Sequence, residues 1–162
     1  MEQKEISIEQ WHEIALRAEK RGEHIPLKFS VNGISMTPLI RKDKDRVAIL
    51  PRVGQVKRGD IVLFRRKTAR ASYILHRVYR VEEDGALTLG DGNLSTDGWV
   101  RLSDILGIAV GLERDGRWLD LESMPLRLWG RLWMLLLPVR GKLIAFYLWA
   151  KKAPSGGKIQ GR

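Results

Sequence analysis

Between Leu27 and Arg117 the apolar residues keep no sustained helical period, and this points most of the chain to a β fold. Short runs rich in Val, Ile and Leu alternate there with Gly, Asp and Pro. Six of them read as strands: LKFSVNG, DRVAILP, DIVLFRR, SYILHRVYRV, GALTLGD and DILGIAVGLE. Lys57-Arg58-Gly59-Asp60, Glu83-Asp84-Gly85 and Asp97-Gly98 mark turns, where glycine supplies backbone angles that other residues avoid. The spacing predicts a mainly β fold: a compact, highly connected sheet or small barrel, with helices confined to the two ends.

At the start, Ser7 and Gln10 stand at the spacing of a capping box, and Ile8, Trp11, Ile14, Ala15 and Ala18 recur at helical spacing. An amphipathic helix is expected to about Arg21, ended by Gly22. Nothing in this stretch is continuously apolar, so it predicts neither a signal peptide nor a membrane span. His12 and His24, in or just after the helix, read as solvated or structural. At the other end, residues 125–150 are helical in composition and are broken by Pro138 and Gly141 into two pieces. The charge-free runs Leu132 to Val139 and Leu143 to Ala150 are eight residues each, far short of the roughly 20 a spanning helix needs.

The expected division is therefore residues 1–26 for the N-terminal helix and lead-in, 27–117 for the β domain, 118–150 for a Trp-rich basic helical segment, and 151–162 for a flexible tail. Charge follows that division. All 19 acidic residues lie before residue 123, where they nearly balance 21 basic ones, whereas residues 123–162 hold eight basic residues and no acid. Trp118, Trp129, Trp133 and Trp149 all fall from residue 118 onward, and Trp beside Lys and Arg suits an anionic membrane surface better than nucleic acid. Cysteine is absent, which removes disulfides, thiolate metal sites and cysteine nucleophiles.

Chemistry-bearing residues fall in three places. In VNGISMTPLI, Ser35 follows a predicted strand, behind the flexible Gly33 and ahead of Met36 and Pro38; a serine nucleophile needs such a turn so that its oxygen protrudes. A base must then come within hydrogen-bonding reach. His76 lies inside a strand, where alternation puts it on one face with Ile74 and Val78, a place ordinarily given to an apolar side chain. In LTLGDGNLSTDGW, Asp91 and Asp97 are the carboxylates available to orient an imidazole, although turn formation is their default role. Asp91, Asn93, Ser95 and Asp97 also alternate as in a calcium loop, but Thr96 replaces the required glycine and Leu102 the required glutamate. No metal or cofactor is expected.

In order, GISMTP, VKRGDIVLF, YILHRV and LGDGNLSTD followed by ILGIAVG resemble the signal peptidase I family and its relatives, which include the self-cleaving repressors of the SOS response. The resemblance covers about residues 29–113 and implies a signal-peptidase-like or repressor-protease-like β fold and a serine endopeptidase acting on a protein or peptide. Bacterial signal peptidases and the repressors carry a lysine base in the third block. The archaeal and endoplasmic-reticulum type carries histidine there, with an aspartate six residues beyond that of the GD pair. This chain is similar to the histidine type, and the resemblance assigns Ser35, His76 and Asp97 to catalysis, with Asp91, Gly33 and Met36 supporting.

The chain also departs from the pattern. Lys44-Asp45 stands where relatives have Gly-Asp, and Gly33 stands where bacterial members place a hydroxyl that helps bind the oxyanion. The N-terminal anchor usual in signal peptidases has no counterpart in MEQKEISIEQ, so a cytoplasmic or peripherally membrane-associated location is expected. Two other readings accompany the peptidase one: a self-cleaving or regulatory module, and a catalytically silent peripheral membrane protein. Residues 1–26 hold one helix, too little for the helix-turn-helix that precedes the repressor proteases, so no nucleic-acid partner is expected.

Overall fold

In a computed structural model describing residues 7–51, 56–66 and 72–152, each of the six apolar runs contains a strand. The elements are α1 (Ile8–Glu19), β1 (Leu27–Ser30), β2 (Arg46–Pro51), β3 (Ile61–Arg66), β4 (Ser72–Val81), β5 (Gly85–Leu89), β6 (Trp99–Arg101), β7 (Ile105–Arg114), β8 (Arg117–Asp120), α2 (Met124–Leu135) and α3 (Leu137–Lys152). The strands form one antiparallel sheet in the order β1-β2-β7-β3-β4-β5-β6. β8 joins the C-terminal half of β7, on the edge whose N-terminal half pairs with β3.

β6 and β8 were not among the six expected strands. β8 carries the β domain three residues past its expected end at Arg117, into the segment expected to be helical. It forms because Asp115 (φ 50°) and Gly116 (φ 74°) turn the chain in two residues, bringing Arg117 opposite Arg114. Two consecutive positive φ values are what a tight hairpin between right-twisted strands requires.

Period-2 alternation sorts the strand side chains into two cores. In β3, Ile61 and Leu63 join a cluster with Val47, Ile49, Leu75 and Leu112, whereas Val62 and Phe64 join Val78, Ala86 and Ile105 on the other face. Helix α1 closes the first core with Trp11 and Ala15, and the Trp11 indole donates to the Ile25 carbonyl at 3.0 Å. Its capping box is present as the sequence predicts, with Ser7 and Gln10 each bonding the other's backbone N–H.

The turn that lacks glycine before β2 is built differently. Asp43 takes up the positive φ itself, at 55°. The fully buried Asp45 accepts from Arg114 Nη2 at 2.6 Å, from Arg41 Nε at 2.9 Å and from the Arg41 N–H at 2.9 Å. Burial works against the charged form, but the hydrogen bonds and charges of the two guanidinium groups outweigh it and bring the Asp45 pKa down to about 2. A depressed carboxylate stabilises the fold above its unfolded value of about 3.9, and the contribution disappears as pH falls through the folded value. Asp45→Asn should therefore unfold about 2 kcal/mol more easily at pH 7, with the difference closing between about pH 4 and pH 2. Urea titrations across that window measure it; an undiminished difference at pH 2 would contradict the assignment.

The C-terminal segment forms two helices as expected. Their junction is Leu136, whose ψ of 4° leaves the helical range. Pro138 follows in the first turn of α3, a position that needs no N–H donor. Gly141 does not break the helix, contrary to the sequence expectation, because one interior glycine costs only about 1 kcal/mol. Leu126 and Trp129 of α2 pack against the first core. Among the described residues no helix is long and apolar enough to cross a membrane. Residues 153–162 of the expected tail lie outside the described residues.

Candidate active site

Ser35 sits half-buried in the loop between β1 and β2, and the residues after it hold it there. Met36 and Ile40 are fully buried in the first core, tied by a hydrogen bond from the Ile40 N–H to the Met36 carbonyl at 2.9 Å. Met36 is thus the anchor of the turn. Gly33 is exposed beside the serine: a side chain there would begin 3.9 Å from Ser35 Oγ.

The loop Gly90 to Asp97, between β5 and β6, stacks directly on the serine loop. The Gly92 N–H donates to the Ser35 carbonyl at 2.7 Å. A methyl group on Gly90 would lie 2.5 Å from the Ser35 carbonyl oxygen and 2.9 Å from His76 Nε2, and one on Gly92 would lie 2.8 Å from the Ile34 carbonyl oxygen. Both glycines flanking Asp91 are therefore required by backbone-on-backbone packing. The same distances show that the Ser35 carbonyl and His76 Nε2 flank a single atom-sized space.

His76 reaches that space from the middle of β4. Opposite Val62 in register, it shares a face with Ile74 and Val78, as alternation predicts, and its ring meets Phe64 edge-on. It is 5% exposed. Its Nδ1 lies 2.5 Å from Asp97 Oδ2. Asp97 also accepts from Thr88 Oγ1 at 3.0 Å and, through Oδ1, from Arg66 Nη2 at 3.2 Å, while its own N–H is fixed on the Thr88 carbonyl at 2.9 Å. Burial raises the Asp97 pKa, but the hydrogen bond and charge of His76, the Thr88 hydroxyl and the Arg66 charge together hold it below the ordinary carboxylate value. Asp97 is thus an anion at neutral pH. A carboxylate only accepts, so Nδ1 carries the proton of the neutral imidazole and Nε2 presents its lone pair to the Ser35 side.

Ser35, His76 and Asp97 all line one open cleft of about 590 Å³, together with Gly33, Asn93 and Arg66. Ser35 Oγ is not hydrogen-bonded to His76 Nε2, and among the described residues the Ser35 N–H donates to no protein acceptor.

Asp91 is placed differently from the other expected site residues. It is 1% exposed and forms a bidentate pair with the buried Arg77, at 2.8 and 2.7 Å, on the β4 face opposite His76. Its carbonyl accepts from the Trp133 indole of α2 at 2.9 Å and from Arg140 of α3 at 3.2 Å. Its support of the site is that of a loop anchor.

Three side chains of the site escaped the sequence reading. Arg66 braces the far side of Asp97, and Asn93 turns its amide to within 2.9 Å of where a Gly90 methyl would lie. Arg140, although one of the eight late basic residues, is 1% exposed and donates to the carbonyls of Gly90, Asp91 and Asn93 at 3.1 to 3.4 Å, its guanidinium over the Trp133 ring. The C-terminal helices thus hold the loop that carries Asp97. No family model matches the chain, and searches of curated proteins and of solved structures find no match.

Proposed function

We propose that this chain is a serine endopeptidase of signal-peptidase type, working by a Ser35, His76, Asp97 mechanism. The observation that carries this reading is the Asp97 to His76 bond, which holds Nδ1 on the carboxylate and turns Nε2 toward the Ser35 loop in the shared cleft. The resemblance of residues 29–113 to the histidine-type signal peptidases supports it, as does an eight-stranded antiparallel fold that stacks the two motif loops on each other.

In the first step Ser35 Oγ attacks the peptide carbonyl while its proton passes to His76 Nε2; Asp97 stabilises the resulting imidazolium. The Ser35 N–H and the Asn93 amide are the donors offered to the oxyanion. The imidazolium then gives its proton to the leaving nitrogen, the C–N bond breaks, and an acyl-serine remains. Water attacks that ester, transfers a proton to Nε2, and Ser35 leaves with it. Catalytic hydrogen bonds often tighten only in the substrate complex, which accommodates the unbonded Ser35 and His76.

The test is to incubate the purified chain alone and with a diverse mixture of synthetic peptides, then map new termini by mass spectrometry. New termini in the mixture mark cleavage in trans, and a shortened chain in the first arm marks self-cleavage. Their absence from both arms, or their persistence with Ser35→Ala, would refute the reading.

A further inference from the structure

Helices α2 and α3 turn one face each to the β domain and leave the opposite faces uncovered. On α2 the uncovered face carries Leu128, Leu132 and Leu135; on α3 it carries Val139, Leu143 and Phe146. Each set repeats at i, i+4 and i+7, a single stripe of an α-helix, and the two stripes run up to the Leu136 junction from either side. These are not residues at the margin of a core: Leu135 is 70% exposed and Phe146 65%. Trp149, 67% exposed and 5.9 Å from Phe146 between ring centroids, ends the row.

The charge beside the stripes decides what can cover them. Arg127, Arg131 and Lys142 are exposed on these helices, which hold no acid of their own; the Asp60 carboxylate interacts with Arg127 alone of the three, so the outer surface keeps a net positive charge. A second copy of the chain would bring the same net positive surface against itself. A surface that takes up apolar side chains and is itself negative satisfies both features, and an aromatic residue at the end of the row suits its headgroup level.

We propose that the outer faces of α2 and α3 dock on an anionic lipid bilayer, lying in its interface without crossing it. The apolar stripes enter the acyl boundary, while Arg127, Arg131 and Lys142 meet the headgroups. Arg140 takes no part, since it is buried on the Gly90 to Asn93 carbonyls.

Flotation of the full chain with vesicles tests this without reference to cleavage, so its outcome is separate from that of the peptidase reading. The protein should rise with vesicles of equal parts phosphatidylcholine and phosphatidylglycerol and remain behind with phosphatidylcholine alone. Leu132→Ser and Phe146→Ser should each lower the partition coefficient about tenfold, because each removes one large side chain from the apolar phase. Both positions are exposed, so thermal unfolding should be unchanged; that control separates lost docking from lost folding. Failure of the full chain to float with anionic vesicles, or equal flotation of the doubly substituted protein, would overturn the proposal. So would sedimentation showing a wild-type dimer that the double substitution turns into a monomer, since the stripes would then cover a second copy.

Discussion

Ser35→Ala is expected to abolish peptide cleavage while leaving the unfolding midpoint where it was. Removing the nucleophile of a serine, histidine and aspartate set costs on the order of 10⁶-fold in turnover, because the remaining members cannot act without it. The structural consequence is small: Ser35 Oγ makes no hydrogen bond among the described residues, and the turn is held instead by Met36, by Ile40 and by the Gly92 N–H on the Ser35 carbonyl. Such substitutions normally stay within about 0.5 kcal/mol in stability. His76→Ala should be as inactive, but it also removes a buried ring beside Phe64, so Ser35→Ala is the cleaner comparison. Asp97→Asn isolates orientation: the amide can donate to Nδ1, which favours the tautomer protonated at Nε2, and a loss of about 10⁴-fold follows if His76 is the base. Peptide turnover measured by mass spectrometry, beside thermal unfolding of each variant, decides the matter. Undiminished cleavage by Ser35→Ala removes Ser35 from the reaction, and normal turnover by Asp97→Asn removes the orienting role of Asp97.

The parts of this arrangement visible in the sequence were those written locally. Alternation in SYILHRVYRV placed His76 with Ile74 and Val78, and the capping box at Ser7 and Gln10 announced α1. Asp97 lay in a turn within hydrogen-bonding reach of an imidazole, although only the resemblance chose it over Asp91. The Asp115-Gly116 pair was an available hairpin signal, and β8 could have been read from it; the basic and aromatic composition that follows drew the boundary at Arg117 instead. β6, at three residues, is too short to show alternation. Contacts between distant segments left no local trace. Nothing near Arg140 indicates that it will be buried on carbonyls 47 to 50 residues earlier, and its surroundings suggest a lipid-facing cation instead. Nor does the GDG triplet reveal why it needs both glycines, which becomes clear only when the Ser35 loop lies against it.

The same long-range contacts set the second large effect, on stability. Asp91→Ala should destabilise the fold by about 3 to 5 kcal/mol, because it leaves the Arg77 guanidinium buried without its anion. Arg77 is 6% exposed, and the hydrogen bond from its Nη1 to the Gly59 carbonyl, at 2.9 Å, cannot neutralise a charge. A loss of that size is a large fraction of the roughly 5 to 15 kcal/mol that holds a typical domain together, so the single variant is expected to be partly unfolded at 37 °C. The double variant Asp91→Asn with Arg77→Met keeps the prediction measurable: removing both charges spares the desolvation that each ion requires, and much of the lost stability should return. A double-mutant cycle in urea, closed with the single variants Asp91→Asn and Arg77→Met, then gives the coupling directly. The Asp91 backbone carbonyl still accepts from Trp133 and Arg140 in every variant, although the buried Arg140 also loses the Asp91 charge that favours its protonated form. Asp91 and Asp97 thereby separate by experiment: Asp97→Asn loses turnover with the fold retained, whereas the double variant at Asp91 and Arg77 retains turnover once it is folded. An Asp91→Ala protein as stable as wild type would show that the buried pair does not hold the loop, and inactivity of a fully folded double variant would move Asp91 from anchor to participant.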